Sequence, residues 1–486
     1  MLERTPQKNG GPMSKQSVFS IFSIQELLAS PRLMPIIERL HPAAVIATVK
    51  GVCDDVSREM FSAATERRVP ELADLTDKIL ARLQDVERRG NRLAIDASGV
   101  IFRHTPMISP LGRQTLDEML WRLSVPLADT PDDTFLAEPA PETVERFVPT
   151  CASTAKTLCA RTGAEDALFF GSCDQAETAL FQTFGQKGAI LTARRDMTED
   201  TRGRRLADLM AFSAAKVIEV GASNGVNSDD FFAETENEIG LVRLAAGIHS
   251  DMKPTLSPEA TRRLAERIRP QGTPILLRVD FAPLLDLSDL FSDPLPTVGE
   301  WLETGPDLLL FSSAQLIGGP DCGVLLGRRT FLDAVRRRKT AGMFLPHRVD
   351  LAGLAKTLEL ARLRDEALRE LPILKMIATP AANLRNRAER LAPLIAAIDG
   401  VESAEAVDLA ATLSLSPGFG RMASSGVAVR FARRTATEAA AQLNSASPSV
   451  FAVCDGKTVL LNLKTVLPQH DAMIVRGIET IFQKRL

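Results

Sequence analysis

The sequence contains no tyrosine and six scattered cysteines. The absence of tyrosine removes a common side chain for stacking on a bound ring or anchoring a phosphate. No two cysteines form a Cys-x-x-Cys pair, and the shortest interval, from Cys151 to Cys159, is too wide for a usual zinc knuckle. His104, His249 and His347 show no spacing to carboxylates or cysteines that suggests metal ligands. We therefore expect reduced, mostly buried thiols and no metal site.

Long hydrophobic runs are also absent. No apolar segment approaches the roughly 18 residues that a transmembrane helix needs. The N-terminus, MLERTPQKNGGPMSKQS, lacks the apolar core of a signal peptide. Residues 1–23 are polar and rich in glycine and proline, so we expect a flexible tail there. These features predict a cytoplasmic protein with no membrane association.

The composition is that of a soluble globular protein, with 45% hydrophobic and 24% charged residues. A chain of 486 residues is too long for one ordinary core, so two or three domains are expected. The net charge of −3 does not indicate a polyanion binder, although a local basic patch remains compatible with it.

Residues 24–90 are predicted to form a helical N-terminal domain. Apolar residues recur there at intervals of three and four, in IQELLASPRLMPIIERL and VPELADLTDKILARLQDVERR. Gly90 and Asn91 are expected to end the domain. Residues 1–90 carry 13 basic and 12 acidic side chains, a net charge of +1, so little nonspecific affinity for nucleic acid is expected.

Residues 91–345 alternate between strand-like apolar runs and amphipathic helices. The runs are RLAIDASGVIF, ALFF, AILTA, KVIEV, ILLRVD, DLLLFSS and GVLLG. Such alternation predicts an α/β domain with a mostly parallel sheet covered by helices. Ligands of these sheets bind beyond the carboxyl ends of the strands, which directs attention to residues 171–174, 280–283 and 312–315. A long helical pattern, VDLAGLAKTLELARLRDEALRELPILKMI, then opens a small C-terminal α/β domain over residues 346–486.

Several motifs occur in the order of a known family. The run FSSAQLIGGPDCGVLLG, with its Gly-Gly-Pro centre, follows the segments IDASGVIFRHTPMISPLG and ARTGAEDALFFGSCDQAETAL. Together with TVGEWLETGPDLLL they resemble the bacterial selenocysteine synthases over residues 24–480. The resemblance implies a pyridoxal-phosphate (PLP) transferase of fold type I, with a dimeric or larger homo-oligomer and a tRNA partner.

The resemblance also assigns site residues. Gln315 falls where the family has the lysine that holds PLP as a Schiff base, and an amide cannot form one. Asp280 falls where the family's carboxylate pairs with the pyridine nitrogen. Lys464 and Gly225 replace family arginines. The candidate cofactor-binding residues are Asp280, Ser172, Cys173, Ser312, Ser313 and Gln315, with no catalytic residue and with PLP held noncovalently if it binds.

Each candidate also has a structural interpretation. Asp280 suits a strand-end turn as well as a ring nitrogen, and Ser172 suits a helix cap as well as a phosphate. Ser312 and Ser313 follow a buried strand and suit turn amides equally well. Cys173 is more typical of packing than of nucleophilic chemistry.

Three functions are compatible with these residues. The first is a catalytically altered or inactive selenocysteine-synthase-like protein that keeps the fold for binding. The second is a working selenium transferase that uses another amine, Lys339 being the nearest one downstream. The third is a structural partner of a true synthase. The basic residues around 328–339 are expected to form a solvated helix face, with tRNA contact as the alternative.

Overall fold

A computed structural model describes twelve segments of the chain. They are residues 27–37, 45–46, 48–53, 55–56, 71–89, 94–103, 109–124, 152–199, 205–247, 254–414, 420–446 and 448–482. The predicted tail and domain end (Gly90 and Asn91), as well as Cys151, His104 and His249, lie outside these segments. The chain divides into two compact units, Met1–Ala94 with Ser447–Ser449, and Ile95–Ala446 with Val450–Leu486. The predicted boundary at residue 345 stays a prediction.

The described residues of the first unit up to Arg89 are mainly helical. Its helices are Met34–Ile37 and Leu72–Arg89. Leu75, Ile79 and Leu83 are buried at intervals of four residues, so they lie on one face of the longer helix. This face packs in a cluster that includes Leu33 and Val49.

The second unit contains a seven-stranded sheet. Strand β1 (Ala94–Asp96) precedes it in the chain, and its strands are β2 (Asp166–Phe170), β3 (Ala189–Ala193), β4 (Val217–Val220), β5 (Ile239–Ala246), β6 (Ile275–Val279), β7 (Leu308–Ser312) and β8 (Gly323–Gly327). The spatial order is β2-β8-β7-β6-β5-β3-β4. Strands β3 to β7 pair in parallel, and β8 is antiparallel to both of its neighbours. The mostly parallel sheet predicted from the alternating pattern is confirmed.

Helices connect and cover these strands. They are Arg113–Ser124, Ala152–Thr162, Cys173–Phe184, Leu206–Phe212, Ser228–Ala233, Pro258–Ile268, Val298–Glu303 and Arg329–Arg336. Apolar clusters fill both faces of the sheet, with Leu277 in one and Leu276 in the other. Among the described helices, none combines the length and the apolar character needed to cross a membrane.

The C-terminal part begins with helices rather than with one long helix. The predicted helical character of this stretch is confirmed, and the structure divides it into Arg348–Leu360, Arg364–Glu370 and Pro372–Ala378. Leu363 and Leu371 take extended backbone between these helices. Proline at 372 begins the third one, since a proline has no N–H to continue a helix and forces the preceding residue to be extended.

A second sheet completes this part. Its strands β9 (Val401–Ala411), β10 (Met422–Phe431), β12 (Val453–Asp455) and β13 (Thr458–Asn462) are antiparallel in the order β12-β13-β10-β9, and β11 (Ser449–Phe451) lies outside it. Helices Ala381–Ala396, Ala436–Ser445 and Asp471–Phe482 supply buried residues to its core, among them Leu384, Leu443 and Ile474.

Candidate functional site

Gln315 and Asp280 meet at the carboxyl edge of the large sheet. Asp280 follows β6 and Gln315 follows β7, and these two strands are parallel neighbours. The side-chain nitrogen Nε2 of Gln315 lies 3.4 Å from Oδ1 of Asp280. Its oxygen Oε1 accepts a hydrogen bond of 2.7 Å from the backbone N–H of Phe281. The amide therefore links two consecutive residues at the end of β6.

The backbone around Gln315 is also hydrogen-bonded to neighbouring residues. The Ser109 hydroxyl donates to the carbonyl oxygen of Gln315 at 2.7 Å, and the Ser109 N–H donates to the Ala314 carbonyl at 2.7 Å. The Gly318 N–H also donates to the Gln315 carbonyl. Gln315 is 4% exposed. The Gln315 side chain is therefore buried and hydrogen-bonded rather than exposed to solvent.

A buried ion-pair network connects Asp280 to the helix Cys173–Phe184. Arg278 Nη2 lies 3.4 Å from Asp280 Oδ1, and Arg278 Nη1 lies 3.3 Å from Glu177 Oε2. Glu177 in turn accepts a 2.7 Å bond from Arg243 Nε, and both of these side chains are 3% exposed. Arg278 and Asp280 alternate along one strand, so they share a face of the sheet. The network joins β5, β6 and the helix Cys173–Phe184.

The first residues of the helix Cys173–Phe184 also belong to the candidate site. The Ser172 hydroxyl caps the helix by accepting the Gln175 N–H at 3.2 Å. A side chain at Gly323 would meet the Ser172 carbonyl, since an added Cβ would lie 2.4 Å from it. Cys173 is buried, and burial raises the pKa of its thiol well above the ordinary value. The thiol therefore lacks the ionised form that nucleophilic chemistry requires.

Ser312 and Ser313 both satisfy local groups. The Ser312 hydroxyl donates to Asp321 Oδ1 at 3.3 Å and accepts the Ala314 N–H at 3.1 Å. Ser313 is fully buried, and its hydroxyl donates to the Pro320 carbonyl and accepts the N–H of Cys322. These bonds fit the turn interpretation of both serines. Their role in cofactor binding stays a prediction.

Asp321 precedes β8 and is bonded to the Ser312 hydroxyl. Burial raises the pKa of Asp321, and the neighbouring carboxylates of Asp174 and Asp350 raise it further. The Ser312 hydroxyl and the Arg278 guanidinium act in the opposite direction. Asp174 lies in the first turn of the helix, where the helix dipole favours a negative charge. The first turn of this helix thus already carries one acidic residue, Asp174.

Two lysines that could replace the missing amine lie in different surroundings. Lys339 is exposed, and its neighbour Thr340 contacts Gln182 toward the far end of the helix Cys173–Phe184. Lys464 is buried, and its Nζ donates to the Thr379 carbonyl at 2.8 Å. Burial lowers the pKa of Lys464 to about 8.

The sequence comparisons identify the family to which this site belongs. The family model of L-seryl-tRNA selenium transferase matches residues 149–467. The chain belongs to this family. It is 27% identical over 387 residues to the L-seryl-tRNA(Sec) selenium transferase of Methylocella silvestris, covering 80% of each chain. With the enzyme of Moorella thermoacetica it shares 25% identity over 460 residues, covering 94% of this chain and 95% of the other.

A solved structure confirms the fold. D-glucosaminate-6-phosphate ammonia-lyase superposes with a TM-score of 0.57 at 17% identity, covering 81% of this chain and 97% of that chain. The large domain therefore has the fold-type-I architecture of PLP enzymes, as the resemblance to selenium transferases predicted. Asp280 and Gln315, which lie in two of the segments selected from the sequence, contact each other in the structure. Whether the candidate residues bind a cofactor stays a prediction.

The residues of this family member fit PLP only in part. Asp280 keeps 11% of its side chain exposed at a strand end, as a partner for a ring nitrogen requires. Gln315 offers no amine for a Schiff base, and Asp174 places an acidic residue in the first turn of the helix Cys173–Phe184. Arg278, the guanidinium acting on Asp321, already pairs with Glu177 and Asp280. An amide at Gln315 does not fit a cofactor held there as a Schiff base.

Some of these residues were missed by sequence reasoning. Glu177, Arg243, Arg278 and Asp321 were not predicted as part of the site, whereas Asp174 falls within the segment 171–174 to which the sequence drew attention. The alternation of Arg278 with Asp280 was the one available signal, because residues two apart on a strand face the same way. The others come from separate elements, and their proximity depends on the order of strands in the sheet. Within the described residues, no group of three or more histidine, cysteine or acidic side chains is arranged to hold a metal ion.

Proposed function

We propose that this chain is a selenocysteine-synthase-like protein that does not transfer selenium through a lysine-bound PLP and that uses its fold for binding. The observation that carries the proposal is the side chain of Gln315. Its amide oxygen and nitrogen are bonded to Phe281 and Asp280 in the floor of the site. An amide neither condenses with an aldehyde nor has useful acid or base strength near neutral pH.

The surroundings of Asp280 support the same proposal. In a PLP enzyme the carboxylate keeps the ring nitrogen protonated, which makes the cofactor an electron sink. Here Asp280 is already partnered by Arg278. A second cation at the ring position would compete with this guanidinium. The carboxylate is therefore suited to hold Arg278 in place as much as to hold a ligand.

A working transferase that uses Lys339 has less support. Thr340 contacts Gln182, ten residues along the helix from Ser172. At a rise of about 1.5 Å per residue, this places the Lys339 region about 15 Å from the helix start. An amine at that distance cannot reach a ring held beside Asp280. Lys464, whose pKa is lowered by burial, is a further amine that the assay below should include.

The partners remain proposals. We infer a homodimer or larger homo-oligomer from the fold type, and the relatives' name suggests a seryl-tRNA ligand. The N-terminal residues contribute a net charge of only +1 toward such a ligand. A role as structural partner of a true synthase is the alternative, and co-purification of a synthase rather than RNA would favour it.

A selenium-transfer assay tests the proposed function. The purified chain is supplied with seryl-tRNA, PLP and an activated selenium donor, and selenium incorporation into the aminoacyl group is measured beside a bacterial selenium transferase. We expect no product above the protein-free reaction. Turnover by the wild-type chain would contradict the proposal, and the Lys339→Met and Lys464→Met variants would then show which amine supports it.

A further inference from the structure

Strand β9 forms one edge of the second sheet. On one side it pairs with β10 in an unbroken antiparallel register from Ser403 to Ala411. No strand of the described chain pairs with its other side. All of its 11 residues except Ala411 are exposed or half-buried. The outer side of β9 is therefore an open sheet edge.

The residue after β9 shows which backbone groups point outward. The Thr412 N–H donates to the Gly99 carbonyl at 2.9 Å, and the Thr412 carbonyl accepts the Ile101 N–H at 2.9 Å. Both backbone groups of Thr412 thus point away from β10. This direction alternates from one residue to the next along an antiparallel strand. The outward-pointing residues of β9 therefore include Ala404, Ala406 and Asp408.

These outward backbone groups are free to pair. Within the described residues, the N–H and C=O groups of Ala404, Ala406 and Asp408 that point outward have no hydrogen-bond partner. The same edge already pairs with an extended segment where one lies beside it, since Val100 forms a parallel bridge with Thr412. An open row of N–H and C=O groups is a template for another strand.

Acidic side chains determine which strand this edge admits. Glu402, Glu405 and Asp408 are exposed, and within the described residues the two glutamates have no ion-pair partner. Asp408 shares Arg385 with Glu389. A second copy of β9 would bring the same carboxylates against these, and like charges on paired strands are destabilising. A strand that carries lysine or arginine would be attracted instead.

We propose that β9 is a docking edge for an extended segment of another protein that carries lysine or arginine and adds to the sheet as a further strand. The segment bonds through its backbone to the outward groups of Ala404, Ala406 and Asp408. Its basic side chains lie against Glu402 and Glu405. At about 3.3 Å per residue, the open edge accommodates roughly six residues. The inference is independent of any ligand at Asp280 and Gln315.

A peptide of defined sequence tests the proposal. The probe is fluorescein-labelled Lys-Val-Lys-Val-Lys-Val-Lys, and its binding to the full chain is measured by fluorescence anisotropy at low salt. One control peptide has glutamate in place of each lysine. The other keeps the lysines but is methylated on every backbone nitrogen, so it retains the charge and loses the N–H donors. We expect the lysine peptide to bind about tenfold more tightly than either control, or better.

Three variants locate the binding on β9. Ala406→Pro removes one outward N–H and keeps the pairing with β10, because proline is tolerated at a strand edge. It should weaken binding of the lysine peptide about tenfold. Glu402→Lys with Glu405→Lys should reverse the preference in favour of the glutamate peptide. Glu236→Lys with Glu238→Lys changes the net charge equally at exposed positions elsewhere and should leave the preference unchanged.

Four results would overturn the inference. They are no binding of the lysine peptide at low salt, equal binding of its methylated form, equal effects of the two charge reversals, and self-association of the wild-type chain that Ala406→Pro abolishes. The last result would make a second copy the occupant of the edge. If Ala406→Pro does not fold, the methylated peptide and the charge reversals at exposed positions decide the question.

Discussion

The side-chain oxygen of Gln315 accepts a 2.7 Å hydrogen bond from the backbone N–H of Phe281. Phe281 has a φ of +61°, in the left-handed region that non-glycine residues adopt at a cost of roughly 1 kcal/mol or more. Its ring packs against Phe102 with centroids 5.4 Å apart. Gln315, which the resemblance aligns with the family's cofactor lysine, thus stabilises an unfavourable backbone conformation directly after Asp280.

Replacing Gln315 with methionine should therefore destabilise the protein. Methionine has a similar length but no acceptor oxygen as strong as the amide, so the buried N–H of Phe281 loses its partner. We expect the free energy of unfolding to fall by about 1–3 kcal/mol. Urea unfolding of the ligand-free protein measures it.

Gln271→Met is the matched control for this measurement. Gln271 is exposed, and its side chain makes only a 3.5 Å contact with the Thr235 carbonyl. We expect its effect to stay within about 0.5 kcal/mol, as for most surface substitutions. Equal effects of the two substitutions would show that Gln315 does not stabilise the turn.

Glu177 should be the most sensitive position of the ion-pair network. Glu177→Gln removes the charge that both Arg243 and Arg278 contact. Breaking a buried pair by removing one partner costs about 3–5 kcal/mol, because it leaves the other charge uncompensated. Substituting Glu177 and Arg243 together by apolar residues should cost less than the sum of the two single changes, which unfolding of the four forms would show.

An exposed pair provides the comparison. Arg205 and Glu199 lie 2.9 Å apart with side chains that are 66% and 52% exposed. Exposed pairs contribute roughly 0.2–1 kcal/mol, so Glu199→Gln should have a small effect. If Glu177→Gln were no more costly than Glu199→Gln, the network would contribute nothing beyond an ordinary surface pair.

The sequence predicts the sheet well but not all of its strands. The runs ALFF, AILTA and ILLRVD stand out because they are short, apolar and followed by turn residues. Strand β5 was not predicted, since Arg243 interrupts its apolar run IGLVRLAA. The arginine is tolerated in the core because Glu177 neutralises it there, and this partner belongs to a helix far away in the sequence.

Two of the site residues could be predicted from their own positions in the sequence. Gln315 and Asp280 each follow a strand, so their meeting at one edge of the sheet could be inferred. The grouping of Asp321 with Asp174 could not, because Asp174 lies in the first turn of a helix and Asp321 lies in the segment before β8. Their proximity follows from the antiparallel pairing of β2 with β8, which brings the residues after β2 beside those before β8. An alternating pattern of strands and helices does not specify this pairing.

The buried amine of Lys464 gives a pH-dependent prediction. Burial lowers its pKa from 10.5 to about 8, so the unfolded chain binds this proton more tightly than the folded one. The resulting destabilisation is fully present below pH 8 and disappears as the pH rises toward 10.5. Lys464→Met removes the titrating group. We expect the variant to gain stability relative to wild type at pH 7 and to lose this advantage by about pH 10.

When the free energies of unfolding of wild type and variant are compared at each pH, the contributions of all other titrating groups cancel. Lys464→Arg is the control, because an arginine remains charged throughout this range. Its stability relative to wild type should fall as the pH rises. A stability difference between Lys464→Met and wild type that stays constant from pH 7 to pH 10 would contradict a lowered pKa.

Covalent attachment of PLP tests the central claim most directly. The wild-type chain is saturated with PLP, reduced with borohydride, unfolded and digested, and every lysine is examined by mass spectrometry against a bacterial selenium transferase treated in the same way. Our account predicts one stoichiometric adduct on the transferase and, on the wild-type chain, only the scattered substoichiometric labelling of exposed lysines. A stoichiometric adduct on any single lysine of the wild-type chain, Lys339 and Lys464 included, would contradict it.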